Sequence, residues 1–275
     1  AYTIVANSTD PVIASSLRWR SDLKSADERP PRQPPSIWFP YEKMGQSAAD
    51  IAIDRTNGKF GPFTGQMFVG DQLGALVMRV ALQEVDGHWQ GACFPFLSNL
   101  ACGVNRIAFA PDGSMFIGET DRGWTSVGRA RFGLEHIVFK GVAPFEILTM
   151  HAVPGGFELE FTQDVDRASA SDPKSYAMIS YTYEYHAEYG APESDKAAVG
   201  IDRVEVLSPR KVRLGVSSMR AGYVHELAAA GVKNVAGEPL LHDQAYYTLV
   251  NVPGAKESAA AAQKPKVLFL THSAG

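Results

Sequence analysis

The chain is poor in cysteine, in basic charge and in long apolar runs, and each shortage removes a class of function. Cys93 and Cys102 are its only two cysteines, and their spacing matches neither a CxxCH haem attachment nor a CxxC redox pair. Two readings stand for them, buried thiols in adjacent strands or a disulfide formed in an oxidising compartment. No histidine-cysteine cluster accompanies them to make a metal site. A formal net charge of −4 and a pI near 6.0, with the arginines scattered, argue against nucleic acid and anionic membranes as partners. No run of about 18 apolar residues exists to span a bilayer. Residues Ala1 to Ala6 carry neither the basic flank nor the apolar core of a signal peptide, so the natural N-terminus is expected to lie upstream or to have been processed. GxSxG, P-loop, GxGxxG and HExxH motifs are all missing, and His88, His136, His151, His225 and His242 show no ligand spacing.

What the chain does contain is a unit that occurs twice. Ile51-Ala52-Ile53-Asp54 followed by Met67-Phe68-Val69-Gly70-Asp71 recurs as Ile107-Ala108-Phe109-Ala110 followed by Met115-Phe116-Ile117-Gly118-Glu119. Each copy runs on into a third apolar segment, Leu76 to Val80 in the first and Leu134 to Phe139 in the second. Met67 and Met115 lie 48 residues apart, the spacing of a β-propeller blade rather than of a helical repeat. Two blades cannot close a ring, so further blades are expected upstream.

The 275 residues, 45% of them hydrophobic, have room for two packed domains. Residues 1–35, proline-rich around Pro30, Pro31, Pro34 and Pro35, predict an extended strap. Residues 36–142 hold the blades, with Asp86-Gly87 as a hairpin turn and Pro111-Asp112-Gly113 as a second turn. Residues 143–253 change texture. Phe157, Leu159 and Phe161 alternate with Glu158 and Glu160, and similar alternation at Tyr181, Tyr183 and Tyr185, at Val212, Leu214 and Val216, and at Tyr223, His225 and Leu227 predicts a β-sandwich. The tyrosine stripe reads either as a packed sheet face or as a sugar platform. Residues 254–275 are an alanine-rich linker and one further strand, Lys266 to Leu270, ending at Thr271-His272-Ser273. The fold class is therefore all-β, a partial β-propeller of about two blades plus an Ig-like β-sandwich.

The densest chemistry lies at Glu119-Thr120-Asp121-Arg122-Gly123-Trp124, where two carboxylates, a guanidinium and an indole share a strand end. As a site, Glu119 and Asp121 would hold calcium or orient hydroxyls, Arg122 an anion, and Trp124 a pyranose face. As structure, Asp121 and Arg122 would pair across a turn while Trp124 plugs the base of the blade.

The segments Phe63 to Gln72, Gln90 to Phe96 and Ala110 to Trp124 resemble the last blades of large secreted bacterial proteins related to glucose/sorbosone dehydrogenases, often fused to a c-type haem domain. The sandwich segments Gly156 to Thr162 and Tyr223 to Leu227 are similar to bacterial Ig-like modules, and Lys266 to Gly275 resembles the first strand of a ThuA-like domain. The resemblance implies an extracytoplasmic protein oxidising sugars with pyrroloquinoline quinone and calcium, using a histidine base contributed by earlier blades. It also implies basic quinone contacts. After Met67-Phe68-Val69 the chain departs from that pattern with Asp71-Gln72-Leu73-Gly74, and before the Pro111 turn it supplies only Arg106. The reading is thus the C-terminal portion of a sugar dehydrogenase-like protein, not catalytically competent alone. The alternative is a noncatalytic binding or scaffold subunit, with a protein partner or upstream blades on its open edges and carbohydrate as a possible ligand.

Overall fold

Turn chemistry and strand periodicity set the elements. In the computed structural model, which describes residues 34–184 and 189–254, 48% of the described residues are strand and 4% helix, so the class is all-β, with antiparallel sheets that do not close into a barrel. The first copy of the repeat is a four-stranded meander, β1 (Ala48–Ile53), β2 (Met67–Asp71), β3 (Leu76–Val85) and β4 (His88–Leu97). Asp86 and Gly87 join β3 to β4 with φ of 50° and 76°, the left-handed pair that a tight hairpin needs. The second copy is a three-stranded meander, β5 (Val104–Phe109), β6 (Met115–Thr120) and β7 (Phe132–Ile137). Gly113 turns β5 into β6 at φ 93°, where a Cβ would come within 2.2 Å of the Lys59 Cβ.

The remaining strands are β8 (Ile147–Val153), β9 (Gly156–Phe161), β10 (Ala177–Tyr183), β11 (Glu193–Ala198), β12 (Ile201–Ser208), β13 (Lys211–Val216), β14 (Tyr223–Ala228) and β15 (Gln244–Leu249). A short helix, α1 (Arg167–Ser171), is capped by Asp166, which accepts from the Ser169 N–H at 2.8 Å. β12, β13, β9 and β8 form one sheet. The others extend the first meander: β4 pairs with β15 through Tyr246 opposite Cys93, Tyr247 opposite Ala92 and Thr248 opposite Gly91, giving an eight-stranded sheet ordered β1-β2-β3-β4-β15-β14-β10-β11. Strands from both sides of residue 142 thus share one sheet.

Because side chains alternate across a strand, this large sheet buries both of its faces. On one face, Phe68 and Val77 pack against Val104, Ile107, Met115 and Ile117 of the second meander. Ala92, Phe94, Leu227, Tyr247 and Leu249 of the same face pack against Phe157, Leu159, Phe161, Val212 and Leu214 of the four-stranded sheet. On the opposite face, Val69, Met78, Val80, Cys93, Tyr181, Val224 and Tyr246 lie beneath Met44 and the segment Ile37, Trp38 and Phe39. That segment is pinned by the Trp38 N–H, which donates to Thr248 Oγ1 at 2.7 Å. Tyr181 is therefore a packed core residue and Tyr183 lies against Trp38 at 5.2 Å. Tyr185, most of the strap, the linker and the Lys266 strand lie outside the described residues. Cys93 and Cys102 are buried free thiols, and burial raises the Cys93 thiol pKa.

Arg79 joins the two cores. It lies on β3 between Val77 and Ala81, fully buried, with Phe63 and Phe94 at 4.6 and 4.4 Å from its guanidinium. It donates to Gln66 Oε1 (2.5 Å), to the Leu148 carbonyl (2.8 Å) and to the Ile147 carbonyl (2.5 Å). Burial lowers its pKa to about 10, against the opposing pull of Glu146, so it stays charged at neutral pH.

Candidate functional site

The two meanders share register as well as sequence. Ile51 opposes Val69 and Ala52 opposes Phe68 in the first; Ile107 opposes Ile117 and Ala108 opposes Phe116 in the second. Phe68 and Gly70 face the second meander, and Gly70 is what lets it approach, since a Cβ there would lie 2.2 Å from Val104 Cγ1. Their counterparts, Phe116 and Gly118, face outward, and a Cβ on Gly118 would meet nothing closer than Arg106 at 3.7 Å. Cross-strand neighbours follow suit. Val77, opposite Gly70, is fully buried, whereas Leu134, opposite Gly118, is 72% exposed. Arg79 is enclosed, whereas His136 is exposed and stacks on Phe116 at 4.3 Å. Phe132, next along β7, is 79% exposed.

Equivalence also explains Glu119. Asp71, its counterpart, is buried and accepts the N–H groups of Gln46 and Gly74 at 2.7 and 2.6 Å. Glu119, likewise buried, accepts the Cys102 N–H at 3.0 Å, while Glu135 accepts the Ala101 N–H at 3.1 Å. Each acid ties down the segment leading into the first strand of its meander. Burial holds the Glu119 carboxyl above the usual carboxylate range, and the neighbouring Glu135 carboxylate adds to the rise against the Cys102 bond.

The five residues singled out by sequence therefore divide. Glu119 turns inward. Arg106 sits on β5 opposite Gly118, on the outward face, and donates to the Asn105 carbonyl at 2.7 Å. Asp121 and Trp124 line an open cleft of about 490 Å3 with Gly123, Thr125, Ser126, Gly128, Arg129, Ala130 and Arg131. Arg122 is exposed beside it, its N–H held by Thr120 Oγ1 at 3.0 Å. Trp124 is 46% exposed and touches Tyr189 at 5.9 Å. Asp121 faces Arg131 at 3.8 Å rather than Arg122.

Arg129, Arg131 and Tyr189 were not singled out by sequence. The two arginines alternate around Ala130 just before β7, which was a readable signal. Tyr189 comes from the distant β10–β11 connection and left none.

Calcium takes six to eight oxygen ligands, and this donor set does not suit it: Glu119 is turned away and Asp121 already faces a guanidinium. Among the described residues no group of three or more His, Cys, Asp or Glu is placed to hold a metal ion, so no step through calcium or a quinone is assigned to this loop. No described helix is long and apolar enough to cross a membrane. A second open cleft, about 520 Å3, lies between residues 142–145 and 238–241 and is lined largely by apolar side chains. In comparisons with known proteins, no family model, no curated protein and no solved structure matches the chain.

Proposed function

We propose that the chain is the C-terminal portion of a larger extracytoplasmic, sugar dehydrogenase-like β-propeller protein. Its two meanders are blades, β8 to β15 with β4 form an Ig-like sandwich, and the whole works as a docking unit, not a self-sufficient catalyst. The observation that carries this reading is the outward face of β5–β7, which sets Phe116, Gly118 and Leu134 where the first meander buries Phe68, Gly70 and Val77. Repeat units of this kind cannot bury their apolar faces alone and do so by stacking, so the occupant of the outward face is a further meander of the same type. The four-stranded sheet shows the contrast: its outer side pairs Arg213 with Glu158 and Arg203 with Glu205, as a solvated face does. At the other end of the stack the face is covered: Val69, Met78 and Val80 lie beneath Met44 and Phe39, and on β1 Ile51 and Ile53 stay exposed, at 49% and 40%. A scaffold role fits the same face, with the further meander supplied by a partner chain.

The uncovered face makes an isologous contact, outward face against outward face, available between separate copies. The wild-type chain is expected to associate with rising concentration in sedimentation velocity. The double variant Phe132→Ser/Leu134→Ser should remain monomeric while its stability changes by less than about 1 kcal/mol, because both side chains are already in water. A wild-type chain that stays monomeric throughout, or a variant that unfolds, would count against the proposal.

A further inference from the structure

We infer that the cleft beside Trp124 binds a carboxylated pyranose, a uronic-acid residue of an acidic polysaccharide. This goes beyond the docking role and does not depend on it. Three features carry the inference. The first is charge. Residues 121–131 hold three arginines and one aspartate in a chain of net charge −4. Neither Arg122 nor Arg129 has an ion-pair partner among the described residues, and the Asp121–Arg131 separation of 3.8 Å is longer than a hydrogen bond. A planar guanidinium fork matches a carboxylate through two parallel hydrogen bonds.

The second feature is the indole. Trp124 offers a flat apolar face, partly open despite its contact with Tyr189, and flat apolar faces suit the C–H side of a pyranose. Asp121, Thr125 and Ser126 stand beside it as acceptors and donors for ring hydroxyls. An acidic peptide would satisfy the arginines but leave this combination of a ring face with hydroxyl partners unused. A cleft of about 490 Å3 is within the size range of small-molecule sites, and its openness lets a polymer run through.

The third is that the loop is built rather than loose. The Val127 N–H donates to the Leu73 carbonyl (2.9 Å), the Ala130 N–H to the Ala101 carbonyl (2.9 Å) and the Asp121 N–H to the Arg131 carbonyl (3.0 Å). Gln72 Nε2 donates to the Trp124 carbonyl at 3.3 Å. Gly128 presses so closely on the preceding loop that a Cβ would lie 2.5 Å from the Cys102 Cα. Anchoring of this kind lowers the ordering cost of binding.

The test is isothermal titration of the full chain with an oligogalacturonide, with its methyl ester, and with hexaglutamate. Oligogalacturonide should bind, and both methyl esterification and the double variant Arg129→Gln/Arg131→Gln should weaken it by roughly tenfold or more. Trp124→Ala should do the same without lowering Tm. The face variant Phe132→Ser/Leu134→Ser should bind normally, which separates this site from the docking face. Equal binding of acid and ester, unaltered binding by the cleft variants, no binding at millimolar ligand, or equal binding of hexaglutamate would each overturn the inference.

Discussion

Replacing Arg79 with alanine should cost about 3–5 kcal/mol, the scale for removing a buried charged group with several hydrogen bonds. The substitution deletes the bonds to Gln66, Ile147 and Leu148 and opens a void between Phe63 of one core and Phe94 of the other. Domains are commonly stable by only about 5–15 kcal/mol, so the loss should appear as a large fall in the urea midpoint. Arg79→Lys should recover only part of it, because an ammonium cannot reproduce a planar fork reaching a side chain and two carbonyls. A fall of less than about 1 kcal/mol for the alanine variant would mean that the guanidinium does not hold the layers together.

Acid should find the second weak point, His225. The ring is fully buried in β14 and lies 5.3 Å from Phe157. Its Nε2 accepts the Arg220 N–H at 3.2 Å, which leaves the proton on Nδ1, and Nδ1 has no partner. Burial pushes its pKa down to about 4 from an ordinary 6.5, with the nearby Tyr223 backbone opposing and the Arg220 charge adding to the effect. The unfolded chain therefore binds this proton more readily than the folded one. Stability from this group is complete above pH 6.5 and is lost as pH falls toward 4. The difference corresponds to about 3 kcal/mol across that window. Denaturant titrations at a series of pH values should show this slope, and His225→Gln, which keeps an acceptor for Arg220 but does not titrate there, should flatten it. Equal slopes in wild type and variant would contradict the assignment.

The elements were more legible than their partners. Both copies of the repeat, the Asp86-Gly87 hairpin and the alternation of Phe157, Leu159 and Phe161 could be read because they depend on neighbours a few residues apart. Alternation shows that a strand has a covered face without showing what covers it. The pairing of β4 with β15 joins residues some 150 positions apart, and nothing in Cys93 or Tyr246 announces it. Arg79 drew no notice within the apolar segment Leu76 to Val80, because two of its three acceptors are carbonyls of β8, which carry no residue code. At the candidate site, sequence located the loop but grouped Glu119 with Asp121, although β6 ends at Thr120, so Glu119 turns inward with Ile117 while Asp121 belongs to the loop. Aligning the repeats would have separated them, since Asp71 holds the same position. The same alignment marks Phe116, Gly118 and Leu134 as a face awaiting cover, a feature that composition alone records only as hydrophobic content.

That face is tested most directly by a disulfide trap. Two chains, one carrying Leu134→Cys on the outward face and the other Ile53→Cys at the exposed β1 edge, are mixed and oxidised; the native Cys93 and Cys102 are buried and do not compete. The homodimer joined through the thiols introduced at position 134 is expected in clear excess over the mixed dimer and the other homodimer, because the outward face lacks cover whereas the first meander's far face lies beneath residues 37–44. Cross-links no more frequent than random collision gives, or dominated by mixed dimers, would contradict it.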